Sequence, residues 1–465
     1  MVKVTFVGAA GEVTGSKHLI EFKDKKILLD CGLFQGKRSE AAKKNAEYPF
    51  DPAELDAVIL SHAHIDHSGN LPMLAKKGFD APIYATHATR DLCNYMLRDS
   101  AYIQEREAEW LRKKKKKVVD HLYTLEDAEK ALTMFHGVNY EQTFKVADGI
   151  VACFYDAGHI LGSAVVHLIF HDEETNKTYT LGFTGDLGRY GLPLLRDPQL
   201  LPKCDTLITE TTYGDRFHGA LIDIEQKLED IVNGVCKKGG KLIIPAFSLE
   251  RTQEIVYYLN ILHKDGKIPE IPIYVDSPLS GNVTEVFRGH PECFDKETYD
   301  EFLNQGDDPF GFGALKYIRD VGDSKALNEK PGPMIIISAS GMCEHGRIVH
   351  HLKNNISNHK NSVLFIGYQG QHTLGRKIRD GESSVSIFGD PYRVKAEIFN
   401  IDAFSAHADR SDLLDYIHKV KGIQKIFLVH GEEESQTKFK SALEESGHKN
   451  IVIPKPLESF ILGDE

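Results

Sequence analysis

Apolar positions along the first 210 residues cluster in short runs that predict β-strands. These runs lie at residues 2–7, 17–22, 26–29, 57–60, 150–155, 179–184 and 206–209. Residues 87–135 instead predict mostly helix, with Thr124 as the N-cap of a helix that begins at Leu125. The first part of the chain is therefore predicted to be rich in strands.

The pattern changes after about residue 210, where helices alternate with short apolar strands. Strands are predicted at 241–245, 273–275, 334–338 and 362–367, and helical stretches separate them. Such alternation favours a parallel, doubly wound sheet. From about residue 393, strands return at 395–399 and 425–429. We therefore predict an α/β core made of residues 1–210 and 393–465, interrupted by an inserted α/β domain of residues 211–392.

Composition narrows the class of protein. The 465 residues are 41% hydrophobic, which is enough for a large core. With 56 basic and 68 acidic side chains the net charge is −12, which disfavours binding to nucleic acid mainly by bulk positive charge but allows a local basic groove. No apolar stretch reaches the ~18 residues of a membrane span, and the N-terminal run does not resemble a signal peptide. Seven scattered cysteines are typical of a reducing compartment, so we expect a cytoplasmic protein.

The strongest chemical signal is the motif His62-Ala63-His64-Ile65-Asp66-His67, directly after the strand predicted at 57–60. Side chains two residues apart in an extended segment point the same way, so His62 and His64 can bind one metal ion. Asp66 and His67, on the turn into the next helix, are placed to bind a second. The alternative is a solvated polar loop, which the types and spacing of these residues disfavour.

Further polar side chains stand where predicted strands end. They are Asp30, His159, Asp186, Glu210 and His430, and His407 lies in the segment 404–409. Each alone would be an ordinary strand-end residue. Because functional groups gather beyond strand ends in α/β folds, together they predict a site.

A site dominated by imidazoles, with few carboxylates, favours zinc over magnesium or calcium. Two zinc ions, two aspartates and a bridging hydroxide leave a net positive centre, which suits an anionic group such as a phosphodiester. Paired metals of this kind activate water near neutral pH, so hydrolysis is the predicted reaction.

These motifs resemble those of a known family. Asp30, the 62–67 motif, His159 and Asp186 resemble the four motifs of the metallo-β-lactamase superfamily. Glu210, His407 and His430 resemble motifs A, B and C of its β-CASP branch, the mRNA 3′-end processing endonuclease type, here in a short form. The resemblance implies an αββα sandwich with an inserted α/β β-CASP cap domain.

The resemblance also implies roles for individual residues. His62, His64 and His159 would bind one zinc ion, and Asp66, His67 and His430 the other, with Asp186 bridging them. The residues expected to serve catalysis are Asp30, Asp66, Glu210 and His407. Among these, Asp30 would orient a ligand, and His407, held by Glu210, would be the general acid for the leaving oxygen.

Segments of the inserted domain resemble family segments that line an RNA cleft. The implied substrate-binding residues are Ser248, Arg251, Ser338, Ser340, Gly341, Arg347, Tyr368 and Gln369. Ser hydroxyls, Gly amides and a helix N-terminus make a phosphate cradle, although Ser-Ala-Ser-Gly by itself is an ordinary strand-to-helix turn. The basic run 112–117 is interpreted as a solvated helix face, with RNA attraction as the alternative.

The sequence therefore predicts a zinc-dependent ribonuclease that hydrolyses phosphodiester bonds of single-stranded RNA, endonucleolytically, with two zinc ions per chain. Two alternatives stay open. One is a hydrolase on the same centre that acts on DNA, a lactam or a small ester. The other is an inactive RNA-binding scaffold, which the complete ligand set disfavours. RNA is the expected partner, no membrane partner is expected, and the oligomeric state is left open, a homodimer included.

Overall fold

The computed structural model describes residues 1–36, 38–115, 121–218, 224–367, 369–401 and 404–463. The chain divides into two compact units. Unit 1 comprises Met1–Gly191, Leu195–Phe217 and Ala406–Glu465, and unit 2 comprises Leu192–Leu194 and His218–Ser405. The main divisions at 217/218 and 405/406 lie later in the chain than the positions 210/211 and 392/393 expected from the sequence pattern.

The first part of unit 1 forms, in chain order, β1 (Val2–Gly8), β2 (Lys17–Phe22), β3 (Lys25–Leu29), α1 (Arg38–Ala46), β4 (Ala57–Ile59), α2 (Ile65–Ser68), α3 (Leu71–Lys76), β5 (Ile83–Thr86), α4 (His87–Lys115), α5 (Leu125–Thr133), β6 (Phe135–Val138), β7 (Phe144–Ala147), β8 (Ile150–Asp156), β9 (Ala164–Asp172), β10 (Lys177–Phe183) and β11 (Thr206–Glu210). Unit 2 follows with α6 (Ile224–Lys238), β12 (Lys241–Pro245), α7 (Arg251–Lys264), β13 (Ile273–Val275), α8 (Pro278–Gly289), α9 (Lys296–Glu301), β14 (Leu315–Tyr317), α10 (Val321–Glu329), β15 (Met334–Ser338), α11 (Arg347–Asn355), β16 (Ser362–Phe365), α12 (Leu374–Arg379), β17 (Ser384–Ile387), β18 (Asp390–Arg393) and β19 (Glu397–Asn400). The chain returns to unit 1 with α13 (Arg410–Lys419), β20 (Lys425–Val429), α14 (Glu433–Glu445), β21 (Ile451–Val452) and β22 (Ser459–Leu462).

Unit 1 is a sandwich of two sheets. Among the described residues, the strand orders are β22-β1-β2-β3-β4-β5-β6 and β21-β20-β11-β10-β9-β8-β7. Apolar side chains of both sheets, such as Phe6 and Ile20 from one and Phe154 and Phe183 from the other, share one buried core. Helix α4 packs beside β5 and β6, and α13 and α14 bury apolar side chains against the second sheet. The predicted sandwich flanked by helices is therefore confirmed.

Unit 2 is built on a parallel sheet with the strand order β14-β13-β15-β12-β16-β19. Every residue of β12 and β15 is buried. Strands buried along their whole length are typical of parallel sheets, in which the helices between strands cover the faces. The predicted α/β insertion with a parallel sheet is confirmed, and β19 belongs to this sheet.

The sequence pattern did not predict every strand. Strands β5 and β6 have four residues each and adjoin helices, and they are strands because they extend the sheet in parallel beside β4. Strand β9 was also missed, although it pairs with both β8 and β10. Among the described residues, no helix is both long enough and apolar enough to cross a membrane.

Candidate metal centre

The seven predicted metal ligands all lie in unit 1, in segments that follow strand ends. His62 and His64 follow β4, and Asp66 and His67 lie on the short helix α2. The remaining ligands, each within a few residues of the end of β8, β10 or β20, are His159, Asp186 and His430. The structure brings these residues together into two groups of potential ligands that share one neighbourhood.

The first group contains His62, His64, His159 and Asp186. The Nδ1 atom of His64 lies 3.2 Å from the Nε2 atom of His62 and 3.2 Å from the Nε2 atom of His159. The Oδ2 atom of Asp186 lies 3.6 Å from His62 Nε2 and 3.8 Å from His159 Nε2. Three ring nitrogens and a carboxylate oxygen therefore converge.

The second group contains Asp66, His67 and His430. The Nε2 atoms of His67 and His430 are 3.2 Å apart, and Asp66 Oδ2 lies 3.4 Å from His430 Nε2. Asp186 reaches this group too, because its Oδ2 atom is 3.3 Å from His67 Nε2 and its Oδ1 atom is 3.4 Å from His430 Nδ1. Asp186 is thus the residue that contacts both groups.

This donor set fits a metal ion better than it fits a hydrogen-bond network. One proton can bridge a pair of imidazole nitrogens, but His64 Nδ1 faces two other nitrogens at once. The Oδ1 atom of Asp186 is buried and accepts no hydrogen bond from the part of the chain that the structure describes. Nitrogens 3.2 Å apart also match the spacing of about 3.3 Å around a tetrahedral ion with bonds of about 2.0–2.1 Å.

A layer of hydrogen bonds behind the ligands sets the orientation of their rings. Asp30 Oδ2 accepts from His67 Nδ1 at 2.6 Å, so His67 presents Nε2 to the site. Asp30 also accepts from the backbone N–H and the hydroxyl of Ser61, at 2.8 and 2.9 Å. Partners of this kind hold a ligand in the tautomer and direction that a metal requires.

Two of the orienting residues were missed by the sequence reasoning. The Ser61 hydroxyl lies 3.0 Å from His62 Nδ1, and the Thr212 hydroxyl lies 3.1 Å from His430 Nδ1. Ser61 directly precedes the 62–67 motif, which is a signal that was available. Thr212 lies far from His430 in the chain, so only the fold brings the two together.

The backbone around the site is packed too closely for side chains at two glycines. A Cβ atom on Gly32 would lie 1.6 Å from the carbonyl oxygen of Asp66, and one on Gly188 would lie 1.8 Å from that of Gly158. Asp30 and His430 adopt left-handed backbone angles, with φ of 58° and 47°. Strained backbone of this kind is common at functional sites, where the surrounding structure maintains it.

The pKa values of histidines shift in opposite directions in the two groups. Burial lowers the pKa of His64 to about 4 and places that of His62 well below its usual range, so both rings are held in the neutral form that binds metals. Burial opposes charge on His67 too, but Asp186 and Asp30 outweigh it and raise the pKa of His67. Although burial acts the other way, His430, His67 and His64 lower the pKa of Asp66 to about 2, so Asp66 is a carboxylate.

His407 and Glu210 form a pair beside Asp186. The Nδ1 atom of His407 lies 3.2 Å from Glu210 Oε2 and 3.9 Å from Asp186 Oδ2. Glu210 is fully buried and also accepts from the backbone N–H of Leu187 at 2.7 Å. Burial disfavours a charged His407, but Glu210 and Asp186 outweigh burial and raise its pKa. The pair can therefore hold a proton next to the two ligand groups.

The predicted substrate-binding residues lie in unit 2, and several already have internal partners. Arg347 Nη1 donates to Asp276 Oδ1 at 2.6 Å, and Ser338 Oγ donates to the Asp276 carbonyl at 2.8 Å. Gln369 Nε2 donates to the Gly341 carbonyl at 3.0 Å. Arg251 Nη1 donates to Glu254 Oε2, and the hydroxyl of Ser248 contacts that of Ser277. The hydroxyl of Ser340 donates to the carbonyl of His345. Tyr368 lies outside the described residues, as does the end of the basic run 112–117.

Comparisons with known proteins agree with this architecture. Family profiles match a metallo-β-lactamase superfamily domain at residues 19–183, a Beta-Casp domain at 252–378 and a Zn-dependent metallo-hydrolase RNA specificity domain at 391–454. Ribonuclease TTHA0252 of Thermus thermophilus is 38% identical over 434 residues, which cover 93% of this chain and 94% of that protein. The transcription termination factor FttA of Methanocaldococcus jannaschii is 31% identical over 469 residues, which cover 99% of this chain and 71% of that protein.

One solved structure shares the fold over nearly the whole chain. It is the crystal structure of a protein of unknown function from Enterococcus faecalis, with a TM-score of 0.55 and 15% identity, covering 99% of this chain and 100% of that one. The family profiles and the long alignments with curated relatives carry the assignment. The chain belongs to the metallo-β-lactamase superfamily, in its β-CASP branch, and is a metal-dependent hydrolase.

Proposed function

We propose that this protein is a zinc-dependent ribonuclease that hydrolyses phosphodiester bonds within single-stranded RNA. The observation that carries the proposal is Asp186, whose two carboxylate oxygens face both histidine groups while the His407–Glu210 pair lies beside it. The relative named a ribonuclease, which aligns over 94% of its length, and the RNA specificity profile at 391–454 support RNA as the substrate.

Two zinc ions are assigned to the two groups. His62, His64 and His159 would bind one ion, Asp66, His67 and His430 would bind the other, and Asp186 would contribute to both. Zinc is preferred because five of these seven donors are imidazoles. When bound, a pair of such ions lowers the pKa of water and offsets negative charge on a phosphoryl group.

Residues of the chain itself position the ligands and help to retain the metal ions. Asp30 holds His67, and Ser61 contacts both Asp30 and His62, so these residues keep the ligand rings in place. Asp66, with its pKa of about 2, stays ionised at neutral pH and contributes negative charge that helps retain a cation. Asp30 is surrounded by donors that hold its oxygens, which makes it a positioning residue.

His407 supplies the proton for the leaving oxygen. The pKa of His407 is raised, which shifts the ring toward its protonated form, and Glu210 stabilises the positive charge of that form. With Nδ1 against Glu210, the proton is delivered from Nε2. A general acid placed next to the reacting group contributes about 10²- to 10⁴-fold to the rate.

Residues of unit 2 are assigned to RNA binding. Ser248 and Ser340 are half-buried and carry hydroxyls at the ends of β12 and β15, where phosphate oxygens can accept from them. Gly341 has no side chain, so its backbone N–H can approach an RNA phosphate closely. Arg347 and Gln369 act through the loops they hold, because their donors already serve Asp276 and Gly341. We also propose a cytoplasmic location, since all seven cysteines are free thiols.

The test is cleavage of one single-stranded RNA labelled in turn at its 5′ and its 3′ end, with metal content measured by mass spectrometry. We expect about two zinc ions per chain and internal cuts that give short products with both labels. The Asp66→Ala/His67→Ala double variant should lose activity, and His418→Ala, which changes a histidine on α13 away from the ligand groups, should not. Equal cleavage of DNA or of an ester would favour the alternative substrates, and full activity of the double variant would overturn the proposal.

A further inference from the structure

The turn between β17 and β18 in unit 2 contains an aromatic residue where the backbone disfavours one. Ile387 pairs with Asp390, which leaves a two-residue turn made of Phe388 and Gly389. Both have positive φ angles, 55° and 94°, as in a type I′ turn. Asn, Asp and Gly are favoured at these positions, and a bulky residue in the left-handed region is strained. Phe388 is therefore not explained by the geometry of the turn.

Phe388 is not explained by the core either. Val385 and Ile387 of β17 are 3% and 1% exposed and belong to the core of unit 2. The Phe388 side chain is 58% exposed. An exposed aromatic ring on a strained turn breaks two local rules at once, which is the pattern expected at a functional position.

The Phe388 ring lies beside a histidine and a lysine. Its centroid lies 4.8 Å from that of His350, with 41° between the ring planes, and Lys353 Nζ lies 5.8 Å from the Phe388 centroid. His350 is exposed, and both partners lie on α11. Burial, together with the charges of His351, Lys353 and Lys325, lowers the pKa of His350. The ammonium of Lys353 places a positive charge beside the Phe388 ring.

The location within unit 2 also matters. Helix α11 begins at Arg347, directly after the loop that follows β15. His350 is in its first turn, so Phe388 lies beside the start of the helix that follows β15, a central strand of the parallel sheet. Ligands of such sheets bind beyond the carboxyl ends of the strands.

We propose that Phe388, together with His350 and Lys353, is a stacking platform for a base of single-stranded RNA, separate from the metal centre. The inference rests on the proposed function, because it assumes an RNA substrate. An aromatic face beside a lysine binds a base through stacking and its phosphate through charge. Three side chains match one nucleotide, whereas a stable protein interface takes about 20–30 residues per side.

The test measures RNA binding by fluorescence anisotropy with a labelled 12-residue RNA, in the Asp66→Ala/His67→Ala background so that the RNA stays intact. Phe388→Asn should weaken binding about 5- to 150-fold, as expected for loss of one stacked base. The melting temperature should stay the same or rise, because Asn suits the turn. Phe388→Tyr should restore binding, and Tyr102→Ala, which removes an exposed aromatic of unit 1, is the matched control.

Two further measurements separate stacking from other causes. Against an RNA of the same length without bases, Phe388→Asn should have no effect. Lys353→Gln should reduce the slope of log affinity against log salt by about 0.7. Unchanged binding by Phe388→Asn, or an equal loss with the RNA that lacks bases, would overturn the inference while leaving the ribonuclease proposal intact. Absence of RNA binding and cleavage by the unaltered chain would overturn both.

Discussion

Two buried clusters of histidine and carboxylate side chains, one in each unit, differ in what their polar atoms face. In unit 2, Asp276 accepts from His351 Nε2 at 2.6 Å, from Ser324 Oγ at 2.5 Å and from Arg347 Nη1 at 2.6 Å. His351 Nδ1 faces Asn328 Oδ1 at 3.0 Å. We call these five residues the Asp276 network.

The metal centre of unit 1 has the opposite arrangement. His64 Nδ1 faces two other imidazole nitrogens, and Asp186 Oδ1 is buried without a hydrogen bond from the described residues. In the Asp276 network each acceptor has donors of its own, and burial, which would raise the pKa of Asp276, is outweighed by the hydrogen bonds from His351, Ser324 and Arg347, so that its pKa falls. Burial of histidine beside aspartate therefore does not by itself mark a site. Ring nitrogens that face one another around a carboxylate oxygen with no donor do.

The largest expected effect comes from Asp186→Asn, which removes a charged oxygen from both ligand groups. We expect metal content to fall, and activity to drop by more than the about 10⁴-fold that a lost proton donor costs at most. Metal analysis and RNA cleavage measure both. Retention of two ions with wild-type activity would mean that ring nitrogens facing one another around this carboxylate are not what defines the centre.

The next effect separates proton transfer from metal binding. His407→Ala should lower the cleavage rate about 10²- to 10⁴-fold with the metal content unchanged, because His407 is assigned to the leaving oxygen. An RNA with a better leaving group at the cut site should recover much of the lost rate. If the variant instead loses metal, His407 belongs with the ligands, because Asp186, Glu210 and His407 also lie close enough together to hold a metal ion.

Asp276→Ala tests the Asp276 network of unit 2. It leaves Arg347 and His351 buried or half-buried without their shared carboxylate, and breaking a buried ion pair in this way costs about 3–5 kcal/mol of folding free energy. Chemical denaturation measures the loss. The metal content of the folded protein should be unchanged. Asp276→Leu/His351→Leu should be less damaging than the single variant, because it also removes the buried His351, while Arg347 keeps its hydrogen bonds to the carbonyls of Ile318 and Arg319. A drop in bound metal per folded chain would contradict the conclusion that the Asp276 network serves folding and not metal binding.

The smallest effect at neutral pH concerns a buried imidazole that is neither a ligand nor part of a network. His18 packs between Phe6 and Phe183, and neither ring nitrogen has a hydrogen-bond partner among the described residues. Burial, with the charges of His67, His430 and Lys17, lowers its pKa from 6.5 to about 3. Between these pH values the unfolded chain binds a proton that the folded chain does not, so the unfolding free energy falls as the pH drops, by about 1.4 kcal/mol per unit.

His18→Leu should make that pH dependence shallower by the same amount between pH 6.5 and 3, which denaturation at several pH values measures. Leu keeps a similar volume between the two phenylalanine rings, so a well-folded variant is expected at neutral pH. A slope identical to that of the unaltered chain would show that His18 does not stay neutral in the folded protein.

The local pattern of the chain was sufficient for much of the fold. Strand β2 and strand β12 were predicted with the bounds observed, because an apolar run between turn signals needs no distant partner to be recognised. Strands β5 and β6 were not, because four residues beside a helix acquire strand geometry only by pairing with a neighbour. The assignment of β19 to unit 2 likewise follows from its pairing with β16.

For the site, the amino-acid sequence by itself determined which donors are present and that strand ends present them, since the 62–67 motif and the polar residues at further strand ends are read from residue types and spacing. The family resemblance added the further ligand roles and the pairing of His407 with Glu210. Only the tertiary structure decided that Asp186 contacts both groups, that Ser61 and Thr212 lie against His62 and His430, and that Arg347 donates to Asp276. The reason is physical. Residue chemistry and local direction are encoded over a few positions, whereas the partner of a polar atom depends on which distant strand ends meet in space.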